Sequence, residues 1–235
     1  MRAYTRRQLK QDAFAETVKE QVSWVVVHRN KLITAGIIIG VVLAVALGAW
    51  AYLQHRNQQA GIALGSAMTI YEAPVLPPGT PAPSEVRTFT SNAERARAAH
   101  AEFQKIADQY SHTKSGEVAR YFAALTAIDM GDSAAGEKEL KAVAESAGPN
   151  LAALAKLALA NRYRDTNRTQ EAIPLYKELI DHPTSTVAKS TAELELASAY
   201  EASNQQAEAT KLYEQIMKED AASPAAQLAA RAMKK

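Results

Sequence analysis

The chain has 235 residues, no cysteine and a formal net charge of +2. The missing cysteine excludes disulfides, a thiolate nucleophile, Cys-ligated zinc and a lipidated cysteine anchor. Residues 1–31 carry seven basic residues (Arg2, Arg6, Arg7, Lys10, Lys19, Arg29 and Lys31) against Asp12, Glu16 and Glu20, whereas residues 57–235 carry 19 basic and 22 acidic residues. That balance argues against nucleic acid as a partner.

The first element is a basic arm, residues 1–31. Between Asp12 and Val27, Phe14, Val18, Val22 and Val25 recur at spacings of four, four and three, which is one face of a helix. Two readings stand side by side. In one, Arg6, Arg7, Lys10 and Lys19 meet the anionic headgroups of a lipid bilayer while Phe14 and Trp24 dip into the interface. In the other, the arm is a solvated helix that only fixes orientation.

The second element, residues 32–53, reads LITAGIIIGVVLAVALGAWAYL, an uncharged run bounded by Lys31 and by His55-Arg56. A bilayer core is about 30 Å thick and a helix rises about 1.5 Å per residue, so the run predicts a transmembrane helix. The triplet Ala49-Trp50-Ala51 passes for a weak cleavage site. The run is nevertheless longer than the roughly 7–15 apolar residues of a signal peptide, so an uncleaved anchor is expected. Seven basic residues precede it, and only Arg56 lies within twenty residues after it. That bias predicts a cytoplasmic amino terminus and an extracytoplasmic carboxy-terminal segment. Gly36, Gly40, Ala44 and Gly48 line one stripe of the helix. Such a stripe lets a second helix approach closely in lipid, either a copy of this chain, giving a homodimer, or another membrane protein. Trp50 and Tyr52 sit where an outer aromatic belt belongs.

The third element, residues 57–235, is Ala-rich and helical by pattern. One stretch, 74–83, holds five prolines in ten residues and reads as a stiff insert between two helices. The rest repeats. Leu159, Ala160 and Tyr163 recur as Leu196, Ala197 and Tyr200, and Ala172 and Tyr176 recur as Ala209 and Tyr213, each shifted by 37 residues. Gly136 and Leu140 lie 36 residues before Ala172 and Tyr176, and Ala99 and Phe103 lie 37 before those. Each unit predicts a helix, a short turn and a second helix. Small residues stand where axes cross, and stacking buries what one pair leaves exposed. Gly131-Asp132-Ser133, Asn167-Arg168-Thr169-Gln170 and Ser203-Asn204-Gln205 supply turns whose polar residues suit caps. The first three residues of the middle turn match a glycosylation acceptor, here read as an interhelix turn. Gly148-Pro149 marks a stop and restart, and Ser223-Pro224 predicts a last helix, Ala225 to Met233, over the open end of the stack.

These residues resemble tetratricopeptide repeats: Leu159, Ala160, Tyr163, Ala172, Tyr176 and Pro183 match the family's marks. The early tryptophan is absent and the period is nearer 37 than the family's 34 or so, so the repeats are divergent. The order of arm, span, an exit through Trp50, Tyr52, His55 and Arg56, and about four helix pairs resembles YfgM-type proteins, ancillary subunits of the bacterial SecYEG translocon with a periplasmic tetratricopeptide-like domain. The long arm and the proline-rich insert depart from that pattern. The resemblance implies a bacterial inner-membrane location, a periplasmic repeat domain, and as partners the Sec translocon and a periplasmic chaperone or unfolded polypeptide. By register with Tyr163 and Tyr200, the first helices present Asn161, Arg164, Ser198 and Glu201, with Tyr121 from the preceding unit. The resemblance implies that such positions contact a peptide, Asn161 at its backbone and Arg164 at a carboxylate. The alternative is that they are ordinary solvated residues.

Nothing in the sequence points to catalysis, a cofactor or a metal. His28, His55, His100, His112 and His182 fall in no metal-ligand spacing, and no glycine-rich phosphate loop or Gly-x-Ser-x-Gly is present. Glu137/Glu139 and Glu193/Glu195 are i, i+2 pairs that diverge around a helix. The expected fold is all-α, a single transmembrane helix followed by an α-solenoid of divergent tetratricopeptide-like helix pairs. The expected function is non-catalytic protein binding at a membrane, with an envelope scaffold for division or wall assembly as the alternative. An enzyme would need a clustered acid, base or metal site.

Overall fold

A computed structural model describes residues 29–77, 80 and 87–234. The predicted helical face of the arm, with Phe14 and Trp24, and most of the second half of the proline-rich insert lie outside the described residues. Among the described residues there are nine helices and no strand: α1 (Arg29–Tyr71), α2 (Asn92–Gln109), α3 (Lys114–Asp129), α4 (Ser133–Ser146), α5 (Pro149–Asp165), α6 (Thr169–Asp181), α7 (Lys189–Ala202), α8 (Gln206–Glu219) and α9 (Pro224–Ala232). The chain divides into two compact units, Met1–His55 and Arg56–Lys235.

The described part of the first unit is the beginning of α1. It is long and apolar enough to cross a membrane, and none of its most apolar stretch is buried. Val45, for example, is 66% exposed. A Cβ added at Gly40 or Gly48 would meet no atom within 4 Å, so those two members of the small-residue stripe are uncovered. Ala44 is exposed as well.

The second unit starts inside the same helix, which continues past Leu53 to Tyr71. Between Gln54 and Ala60 the sequence has neither proline nor glycine, so nothing ends the helix where the apolar run ends. Ala60 and Ala67 of this later part are buried against Ala99, Phe103, Ile106 and Ala107 of α2. The Arg56 guanidinium donates to the Gln109 carbonyl and lies over the Tyr110 ring, 5.7 Å from its centroid. A cation there complements the carboxyl end of α2.

From there each helix packs on the next. The end of α1 lies on α2 through Ala60 and Ala67, α3 pairs with α4, α5 with α6 and α7 with α8, while α9 lies on α8 and α7. The sequence repeat states where the pairs meet. Ala99, Ala172 and Ala209 are fully buried, as are Phe103, Leu140 and Tyr176, with Tyr213 nearly so. On the first helices Ala124, Ala160 and Ala197, spaced by 36 and 37, are also fully buried. At Gly136, the equivalent of Ala172, α4 comes closer still. A Cβ there would lie 2.5 Å from Ile128 Cγ1 and 2.7 Å from the Ala124 carbonyl oxygen, distances no methyl group tolerates.

The three turns share one hydrogen-bond pattern. Gly131, Asn167 and Asn204 all have positive φ (91°, 59° and 59°). The following amides of Asp132, Arg168 and Gln205 donate back to the carbonyls of Ala127, Tyr163 and Tyr200. This is a Schellman closure, and it needs the left-handed conformation that glycine and asparagine accept most readily. The asparagines therefore end α5 and α7. The helices that follow have Arg168 and Gln205 at their N-cap positions, with no side-chain hydrogen bond to the helix, whereas Asp132 caps α4 through the Ala135 amide at 3.2 Å. Gly148-Pro149 opens α5, and Ser223 caps α9 with Pro224 in its first turn. Between α1 and α2, Val75 near the start of the insert and Phe89 beyond it are joined by a parallel bridge. Leu76 N donates to Phe89 O at 2.9 Å and Phe89 N to Pro74 O at 3.1 Å.

Candidate protein-binding site

Two cavities open along the first helices of the pairs. One, of about 320 Å³, is lined by Tyr71, Leu125, Ile128, Asp129, Ala158, Asn161, Arg162 and Asp165. The other, of about 240 Å³, is lined by Leu194, Glu195, Ser198, Tyr213, Leu228 and Ala232. Leu125, Asn161 and Ser198 stand 36 and 37 residues apart and so occupy one register position on α3, α5 and α7.

That register position is tied to the core. The Tyr176 hydroxyl donates to Asn161 Oδ1 at 2.7 Å. The equivalent Tyr213, one unit later, lines the second cavity beside Ser198, with the Glu201 carboxylate near its hydroxyl. Burial pushes both phenols above the ordinary tyrosine range, with the nearby Glu201 carboxylate adding to the shift at Tyr213. In the preceding unit the large core residue is Leu140, which has no hydroxyl, and the groove residue at the same offset is Leu125. A buried hydroxyl requires a polar partner, and an aliphatic chain does not. With Oδ1 held by Tyr176, Asn161 has its Nδ2 donor left for the first cavity.

Of the positions expected from register, Asn161 lines the first cavity and Ser198 the second. Glu201 stands beside Ser198 at Tyr213. Tyr121 is half-buried and packs edge-on against Phe122, with ring centroids 5.3 Å apart. Burial raises its hydroxyl, and Tyr71 adds to the effect. Arg164 lies between the two cavities. Its Nη1 donates to Glu195 Oε2 and its Nε to Asp165 Oδ1 at 3.3 Å, with the side chain 21% exposed. It bridges α5 to α7, so its charge is already engaged.

The structure adds residues that the sequence reading does not single out: Tyr71, Asp129, Asp165, Leu194 and Leu228. Asp129 and Asp165 are 36 residues apart and repeat one another on α3 and α5, which is the signal that exposes them. Burial raises the Asp129 carboxyl, and Arg95 opposes that rise. Burial also raises the Tyr71 hydroxyl, with Asp129 contributing.

Other polar groups serve the scaffold. Arg162 lines the first cavity, but its Nη2 donates to Ser133 Oγ at 2.6 Å. Arg168 stacks 4.2 Å from the Tyr163 ring centroid and reaches Glu137 Oε2 at 2.7 Å. A larger depression of about 670 Å³ involves α4, α5 and α6, lined by Lys141, Leu159, Tyr163, Gln170, Pro174 and Leu175 among others. Pro174 has no amide hydrogen, so the Gln170 carbonyl lacks its helical donor at this rim.

Comparison with known families adds one result. The model of the tetratricopeptide repeat-like domain matches residues 27–175. No curated protein and no solved structure matches the chain. The match covers more than half of the sequence, takes in α2 to α5, and agrees with the stacked helix pairs: the chain belongs to the tetratricopeptide repeat-like domain family.

Proposed function

We propose that this chain is a non-catalytic protein-binding module tethered to a membrane. The observation that carries the reading is the line of cavities along α3, α5 and α7, whose wall residues Leu125, Asn161 and Ser198 recur with the repeat. A stack of paired helices presents such a face as one extended surface, suited to a polypeptide rather than to a small substrate. In this reading residues 1–31 form a cytoplasmic arm, 32–53 cross a bacterial inner membrane, and 57–235 form the periplasmic repeat domain. The charge bias across the span supports that orientation.

The small-residue stripe at Gly36, Gly40, Ala44 and Gly48 packs against a helix of a membrane complex, the Sec translocon, or against a second copy of this chain. The repeat domain then holds an emerging polypeptide or a periplasmic chaperone. The gain is effective concentration, since a surface tethered beside an exit site meets its partner without needing high intrinsic affinity.

The test is photo-crosslinking in intact membranes, with the crosslinker at position 40 in one strain and at position 161 in another. Translocon subunits are expected from the first and secreted polypeptide or chaperone from the second. Recovery of division or wall-synthesis proteins would instead assign the chain to an envelope scaffold. Changing Gly36 and Gly40 to Leu should abolish recovery of the membrane subunits. Undiminished recovery would assign recruitment to the arm or the repeat domain.

A further inference from the structure

We propose that the first cavity selects a cationic side chain, so that the groove takes an extended segment carrying a Lys or Arg, with an apolar side chain further along seated in the second cavity. This rests on the reading that the repeat domain binds polypeptide through this face, and it adds the chemistry of the partner.

Charge is the first argument. Asp129 and Asp165 line the same cavity. Asp129 accepts no hydrogen bond among the described residues, and Asp165 receives only the 3.3 Å contact from Arg164 Nε. Of the guanidinium groups around them, Arg164 is paired with Glu195 and Arg162 lies 4.0 Å from Glu137. Arg95 donates to the Ala73 carbonyl at 3.2 Å and its charge offsets only part of that on Asp129. The cavity therefore keeps two carboxylates whose charge is only partly answered, which favours a cation and repels an acidic chain end.

Shape and apolar surface are the second argument, independent of charge. Leu125, Ile128 and Ala158 give the cavity an apolar wall fit for the methylene stem of Lys or Arg. Tyr71 lines the same space and contributes an aromatic face for the cationic head. Asn161 Nδ2 is placed to donate to a backbone carbonyl. In the second cavity, Leu194, Leu228 and Ala232 form an apolar patch. Leu228 is 52% exposed on the helix that ends the stack, where a polar outer face is the usual solution. A ligand side chain seated there removes that apolar surface from water.

The test uses the full chain in detergent micelles and a fluorescently labelled Gly/Ser peptide with one arginine and one downstream leucine. Parallel probes replace the arginine by citrulline, which keeps the shape and loses the charge, by glutamate, or the leucine by serine. The arginine peptide should bind about tenfold tighter than the citrulline peptide, and the advantage should shrink with added salt. Asp129→Asn and Asp165→Asn should each weaken the arginine peptide severalfold and leave the citrulline peptide unchanged. Leu228→Ser should weaken both. Equal binding of the arginine and citrulline peptides, or no effect of either asparagine variant, overturns the charge selection while leaving the binding face in place. Binding of none of the probes, by a chain whose circular dichroism is intact, overturns both.

Discussion

Helices α5–α6 and α7–α8 repeat one structure at an offset of 37 residues, and they differ most in the charge placed between the helices. Ala172 and Ala209 are equivalent and fully buried; Tyr176 hydrogen-bonds back to Asn161 of its own first helix, and Tyr213 lines a cavity beside Ser198 of its own. The position one turn before Ala160 is Lys156, paired with Glu178 at 2.5 Å, with side chains 26% and 46% exposed. The equivalent position before Ala197 is Glu193, facing Gln215 at 3.4 Å and Lys189 at 3.2 Å, with its side chain only 2% exposed. The repeat thus fixes volumes at the helix crossing and leaves the sign of the cross-helix pair free. Its consequence depends on burial: a wet pair is nearly neutral for stability, and a dry carboxylate is not.

The largest effect is expected from removing the shared aromatic. Tyr176→Ala should destabilise the repeat domain by about 3–5 kcal/mol, read from urea denaturation followed by circular dichroism. Tyr213→Ala should cost less, because only α9 lies beyond its pair; equal losses would mean that position in the stack does not matter. Gly136→Ala carries the comparison to a third copy of the Ala172 position. With Ile128 and the Ala124 carbonyl inside contact distance, it should lose about 1–3 kcal/mol. A stabilised variant would mean that α4 can move away from α3. Tyr176→Phe strands Asn161 Oδ1 and should cost about 1 kcal/mol. Adding Asn161→Leu should recover most of that loss, since the double variant copies the Leu125 and Leu140 arrangement; an additive loss would break the parallel.

The smallest effect depends on pH. Burial raises the Glu193 carboxyl above its ordinary value of 4.5, against the pull of Lys189. As pH rises from that value, the unfolded chain releases this proton before the folded chain does. Stability is therefore lost across the window up to the raised pKa and regained on acidification. Glu193→Gln should flatten this part of the profile, gaining most over the parent at neutral pH. A difference that stays constant with pH would remove Glu193 as its source.

Much of the stack was legible because volume is written in residue identity. Ala99/Phe103, Gly136/Leu140, Ala172/Tyr176 and Ala209/Tyr213 could be aligned by eye, and every one of them is buried. Pro149 and Pro224 marked helix starts to within a residue. The continuation of α1 to Tyr71 was hidden because charge, which ends an apolar run, does not end a helix. Asn167 and Asn204 suit a helix start as well as a helix end, so only φ assigns them to the end. In the candidate site, Asn161 and Ser198 followed from register. The cavity walls did not, because Tyr71, Asp129 and Asp165 come from three separate helices. The Glu195 partner of Arg164 lies 31 residues away, beyond any local pattern.

The bridge between Val75 and Phe89 works as a clasp. It sets the separation of the two strand-like ends and thereby insulates the first helix pair from the number of residues strung between them. Lengthening such a tether twofold costs only about 0.6 kcal/mol in closure entropy. This is where the molecule can gain or shed sequence at little thermodynamic expense, so a trimmed or enlarged version should keep the Phe103 core between α1 and α2 intact.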